Sequence, residues 1–245
     1  MPFLFDDPLP ANSVGGELRT GLYFIPFKQA GNFNQAMTKN AVILLCDKTG
    51  NMARPWADAG FECWCVDTQH SIRRDRSEKV GAGVIHYVWG DVRSWRLPDA
   101  ARGRVAIGFG FPPCTHLSSS GARDHQKKSG WMLADALQTF DACEVAFSFG
   151  GFPYMLENPI GRLSTHRRKP DYKFQPWEYG DLWFKQTCLW TGNGFKMPAP
   201  IHAKPPAGTT EKIWLMGPGE ERANERSETP PGFARAVFLS NSKTL

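Results

Sequence analysis

Apolar positions in this chain follow two different periods, and the change from one to the other outlines strands and helices. The runs AVILL at 41–45 and VAIGFGF at 105–111 are short and continuous, as in buried strands, and FECWCVD at 61–67 reads as a further strand ending in Asp67. Between 131 and 149, apolar residues at 132, 133, 136, 140, 143, 146 and 147 recur at three and four, which predicts an amphipathic helix. A further apolar run at 154–156 meets Glu157, Asn158 and Pro159, and a proline stops a ladder. Strand, helix, strand in that order predicts a right-handed crossover joining two parallel strands, so the segments that follow them emerge at the same carboxyl edge. The expected fold class is α/β.

That edge is where open α/β sheets bind ligands, and it gives the polar residues at the strand ends their interest. The segment GFGFPPCTHLSSSG at 108–121 carries Cys114 behind two prolines and ahead of a polar loop, which is how a reactive thiol is presented. A buried structural cysteine is the competing reading. Glu157 is expected to share an edge with Cys114, its alternative being a surface acid. Upstream, the Gly50 turn and Asn51 follow one strand, and Asp67 ends the next, where a parallel sheet offers an acid to ribose hydroxyls. Asp67 and Asp91 also suit ordinary loop or cap positions. Trp64 and Trp89 fit either an adenine pocket or the core.

Composition narrows the class only slightly. A chain of 245 residues with 41% hydrophobic content is large enough for one α/β core and a small appendage. The formal charge of +5 suits an anionic partner without requiring one. The six cysteines, at 46, 63, 65, 114, 143 and 188, lack paired CxxC spacing, so no zinc site and no disulfide framework is expected. Cys63 and Cys65 are expected on opposite faces of their strand. With no apolar run long enough to span a bilayer and no basic leader, the expected location is the cytoplasm. Residues 1–40 read as a surface segment, 41–160 as the core, 161–229 as a substrate-facing region and linker, and 230–245 as a closing segment packed back on the core. In the third of these, GRLSTHRRKPDYKFQPWEYGDLWFKQTCLW mixes basic and aromatic residues, which fits a nucleic-acid surface or a small subdomain with its own core.

The order of these segments resembles the DNA cytosine-5 methyltransferase family. PPC followed by Ser118 and Gly121 is similar to that family's nucleophile loop, Glu157-Asn158-Pro159 to its base-holding strand end, LLCDKTGNMARPWADAGFECWCVD at 44–67 to its first two motifs, and GDVRSW at 90–95 to its third. The resemblance implies a Rossmann-like sheet binding S-adenosyl-L-methionine through Gly50, Asn51, Asp67, Asp91, Val92 and Pro112. It also implies Cys114 as nucleophile toward cytosine C6, with Glu157 and Asn158 holding the base. Three features depart from the family: Lys48 stands where a glycine is usual, no Gln-x-Arg-x-Arg stretch follows Glu157, and only about seventy residues separate Pro159 from the closing segment. Arg162 and Arg167 are the candidate replacements for the missing arginine, Ser118 is a further substrate contact, and Ser118 to Lys128 is a candidate flap. His116, Arg123 and a helix N-terminus are the positive influences available to a thiolate. The expected reaction is methyl transfer to C5 of cytosine in DNA; the alternatives are C5 modification of RNA or a free pyrimidine nucleotide, and a nucleic-acid-binding protein of this fold without catalysis.

Overall fold

The computed structural model describes residues 38–119, 129–211 and 228–244. Arg123, Gly121, most of the candidate flap and nearly all of the N-terminal segment lie outside the described residues. One sheet of eight strands organises what is described: β1 (Ala41–Leu45), β2 (Glu62–Asp67), β3 (Arg76–Val80), β4 (Gly83–Trp89), β5 (Val105–Gly110), β6 (Tyr154–Pro159), β7 (Tyr172–Phe174) and β8 (Thr187–Gly192). They lie in the order β3-β4-β2-β1-β5-β6-β8-β7. β4, β2, β1, β5 and β6 are mutually parallel, while β3 pairs antiparallel with β4, and β8 with both β6 and β7.

Residue alternation along the strands supplies two separate cores, one on each face. Val42, Leu44, Cys63, Cys65, Ile107 and Phe109 face helix α1 (Arg54–Asp58) and the C-terminal helix, while Ile43, Leu45, Trp64, Val66 and Leu156 face α2 (Gly130–Gly150). Cys63 and Cys65 therefore share a face, against the expectation of opposite faces, because residues two apart in a strand point the same way. The crossover helix α2 exceeds the periodic stretch by one residue at each end and closes at Gly151 in the left-handed conformation. A short helix α3 (Leu163–His166) follows β6.

The region after residue 160 extends this sheet instead of standing apart from it. β8 pairs with β6 from Tyr154↔Gly192 to Pro159↔Thr187. Phe174 of β7 stacks on Phe233, with ring centroids 3.9 Å apart, and Tyr179 packs edge-on against the same ring. These aromatics belong to the main core on the α1 face. Phe233 lies on α4 (Pro231–Asn241), whose Phe238 meets Trp56 of α1 edge-to-face. α4 thus packs against α1 and against β7 through Phe238 and Phe233. Among the described residues, no helix is long and apolar enough to cross a membrane.

Candidate active site

Strand order reverses direction in the sequence at β1 and β5, so the chain leaving β1 and the chain leaving β5 diverge to opposite sides. The crevice this opens at the carboxyl edge is flanked by the 46–51 turn and the Cys114 loop.

The Cys114 loop is held from both ends. Phe111 N donates to Leu45 O at 2.9 Å, and Leu117 N and Ser118 N both donate to Cys114 O, at 2.9 and 2.8 Å, so the chain reverses directly after the cysteine. Next to it, Asn158 Nδ2 donates to Pro112 O at 2.7 Å from a side chain that is 1% exposed. The strand exits are then joined backbone to backbone: Arg162 N donates to Leu117 O at 2.7 Å, Ser119 N donates to Ile160 O at 2.9 Å, and Ser118 bridges Gly161. Ser118 is buried at that bridge. Gly161 is required there because a Cβ would run into the Leu117 carbonyl. Gly161→Ala is therefore expected to force the two loops apart and cost about 1–3 kcal/mol, read as a lower urea midpoint with an unchanged slope.

Thiol chemistry separates Cys114 from most of the other cysteines. Burial pushes the thiols of Cys63, Cys65 and Cys188 up, and a hydrogen bond with Cys46 together with burial does the same for Cys143. Those four are buried and poorly suited to nucleophilic attack, whereas Cys46 and Cys114 are half-buried. His116, two residues on, is half-buried, and its Nδ1 is enclosed without a partner among the described residues.

Glu157 leaves β6 with its carboxyl group nearly enclosed. Burial raises its pKa, and the Lys185 ammonium, 3.8 Å from Oε1, opposes that rise without cancelling it. Asn158 Oδ1 is a buried acceptor with no partner among the described residues.

Asp47, two residues past the end of β1, builds the turn that the sequence leaves short of glycine. Its Oδ1 accepts from Thr49 N at 2.9 Å and Gly50 N at 2.8 Å, an arrangement that fastens the turn through a side chain. Gly50 adopts φ +72°, and a Cβ there would lie 2.8 Å from the Tyr87 hydroxyl. Burial is the main reason that the Asp47 carboxyl is raised, and the charge of Asp67 adds to it, so the two acids sit near each other at adjacent strand ends. Asp67 is buried, with Oδ1 accepting from Gln69 N at 2.7 Å. Asn51 donates its N–H to Thr49 Oγ1 at 3.3 Å and lines a cavity of about 410 Å³ between α1 and α4.

The remaining expected contacts divide. Arg93 grips Asp91 through Nε–Oδ1 at 2.9 Å and Nη2–Oδ2 at 2.6 Å and also reaches Asp135 of α2, which holds the Asp91 carboxyl below the usual range. Val92 packs beside the α2-face core. Trp64 is core, next to the His86 ring, while Trp89 at the end of β4 is 39% exposed. Arg167 is exposed and engages Asp141 of α2 through Nε at 2.7 Å and Nη2 at 2.6 Å, so its guanidinium is directed to the helix. Arg162 contributes its main chain to the loop junction. Sequence reasoning missed two residues here. Asp47 was signalled by the acid-x-Thr-Gly pattern of a side-chain-fastened turn, whereas Lys185 carried no local signal, since only the β6–β8 pairing brings it to Glu157. No family model matches this chain, and no curated protein matches it.

Proposed function

We propose that this protein transfers a methyl group from S-adenosyl-L-methionine to C5 of cytosine in DNA. The observation that carries the reading is the joining of the Cys114 loop to the Glu157-Asn158 strand end, through Asn158 Nδ2 to Pro112 O and through the Gly161 bridge. A half-buried thiol and an enclosed carboxyl are thereby fixed at one sheet edge. The parallel series β4-β2-β1-β5-β6 supports a Rossmann-like sheet with its ligand crevice between β1 and β5.

The β1 and β2 exits suit the cofactor in part. Asp67 offers a buried carboxylate to ribose hydroxyls, and the Gly50 turn lets the backbone and Asn51 approach the ligand. Asp91 is already gripped by Arg93, so Val92 and the neighbouring main chain are the better contacts there. Bound at this edge, S-adenosyl-L-methionine supplies an electrophilic methyl group.

The chain's own residues then do the rest of the work. C5 of cytosine is a weak nucleophile, and addition of the Cys114 thiolate to C6 gives it enamine character. Glu157, carrying a proton, accepts from the exocyclic amine and passes that proton to N3, where negative charge builds as the thiolate adds. Asn158 keeps the thiol loop in register. After C5 has gained the methyl group, its proton passes to water, the N3 proton returns to Glu157, Cys114 departs as the thiolate, and the ring recovers its aromaticity. A duplex target must be turned out of the stack to reach this edge. The cytoplasmic location belongs to the same proposal.

The test is incubation with the cofactor and a duplex containing 5-fluorocytosine, followed by a denaturing gel and intact mass. A denaturant-stable adduct carrying the transferred methyl is expected. No adduct with duplex, but one with fluorinated RNA or nucleotide, assigns the substrate to the alternative class. Failure to bind the cofactor at all supports a binding protein without catalysis and overturns the reading.

A further inference from the structure

Lys185 lies just before β8, and Thr187 of that strand pairs with Pro159 at the end of β6. Antiparallel pairing therefore brings Lys185 to the edge that Glu157 is leaving. Its backbone is fixed on both sides: Lys185 N donates to Gln175 Oε1 at 2.9 Å, and Lys185 O accepts from Thr187 Oγ1 at 2.9 Å. The ammonium donates to Glu228 O at 3.0 Å and stands 3.8 Å from Glu157 Oε1. Both side chains are about nine-tenths buried, at 10% and 11% exposure.

These distances assign the ammonium two unequal tasks. The contact to the Glu228 carbonyl is a full hydrogen bond that ties down the chain ahead of α4. The contact to Glu157 is longer than a hydrogen bond, so it acts through charge and leaves the carboxylate oxygens able to accept from an incoming donor. An enclosed carboxylate with no cation would take up a proton; one with a cation beside it stays ionised over a wider range. Among the described residues, titratable groups coupled to this site include Cys188 of β8, whose thiol burial holds up with Glu157 adding to the effect, and Lys173 of β7, which acts on Cys188 in the opposite direction. Neither is a partner of the Glu157 carboxylate as Lys185 is.

We infer that Lys185 is a positioning residue that sets, through its charge, the pH at which Glu157 gains a proton, and so the range over which the site accepts a ring amine paired with a ring nitrogen. The consequence for turnover rests on the methyl-transfer reading above; the titration of Glu157 does not.

The experiment follows the carboxyl carbons of the full chain labelled with carbon-13 at glutamate, with the Glu157 signal identified by its loss in Glu157→Gln. Two neutral variants separate charge from tether. Lys185→Gln removes the charge and keeps a donor for the Glu228 carbonyl, whereas Lys185→Met removes both. The Glu157 midpoint is expected to rise by at least one pH unit in both variants and to return toward the wild-type value in Lys185→Arg. Where methyl transfer is measurable, the limb of the rate profile governed by Glu157 moves by the same amount. An unchanged midpoint in Lys185→Gln overturns the inference, even if Lys185→Met fails to fold. A wild-type protein without any methyl transfer sinks the reaction proposed above while the midpoints still decide the role of Lys185.

Discussion

Cys114→Ser is expected to abolish methyl transfer and the fluorocytosine adduct while the protein stays folded. A serine hydroxyl is almost wholly protonated near neutral pH and is a far weaker nucleophile than a thiolate, so addition to C6 stalls. Loss of a covalent nucleophile corresponds to about 10⁴-fold or more in turnover, equivalent to roughly 5.5 kcal/mol of barrier. Folding should survive because the loop is held by main-chain bonds to Cys114 O, by Asn158 Nδ2 on Pro112 O, and by the Gly161 junction. A serine at 114 keeps the carbonyl that accepts from Leu117 N and Ser118 N. Labelled-methyl transfer and thermal unfolding of the two proteins, run side by side, check both halves. Full activity in Cys114→Ser would remove the covalent mechanism, and an unfolded variant would make the thiol a packing group.

What the sequence made legible was local. The runs that became β1 and β5 are apolar over their whole length, β2 and β6 carry apolar stretches that end in acid or amide residues, and the three-and-four recurrence of α2 is independent of its neighbours. Crossover handedness then places the Cys114 loop and Glu157 at one edge without any knowledge of their contacts. The appendage expected after residue 160 was misjudged because β8 reaches its place by pairing with β6, and a long-range antiparallel ladder leaves no signature in a mixed basic and aromatic segment. Its aromatics serve the main core, as the Phe174–Phe233 stack demonstrates. The same pairing explains why no local pattern marks Lys185, which is adjacent to Glu157 in space and 28 residues away in the chain. Asp47 illustrates a different gap: where glycines are few, a buried acid fastens the turn by accepting from Thr49 N and Gly50 N. Of the candidate arginines, Arg167 is engaged by Asp141 of α2, as Arg93 is by Asp91, which leaves neither guanidinium directed at the Glu157 edge.

Glu157→Gln is expected to lower kcat by about 10²–10⁴-fold, with the dissociation constant of S-adenosyl-L-methionine little changed. Glutamine preserves the shape and one acceptor, so substrate can still be placed, but it neither ionises nor exchanges a proton with the ring nitrogen as charge develops. The loss should therefore appear in kcat and kcat/KM together, the signature of an interaction made in the transition state. A rise in KM alone would reduce Glu157 to a uniform binding contact. Stability carries an independent mark of the same change. The variant leaves the Lys185 ammonium nearly enclosed beside a neutral amide, without the opposite charge and with the Glu228 carbonyl as its hydrogen-bond acceptor. Removing one member of a buried ion pair costs about 3–5 kcal/mol, less whatever the amide oxygen restores. Combining Glu157→Gln with Lys185→Met removes the stranded charge as well, so the double variant should recover part of the lost stability without recovering turnover. Recovery of both would mean that Glu157 serves only to neutralise Lys185, and that the reacting base is held by another group.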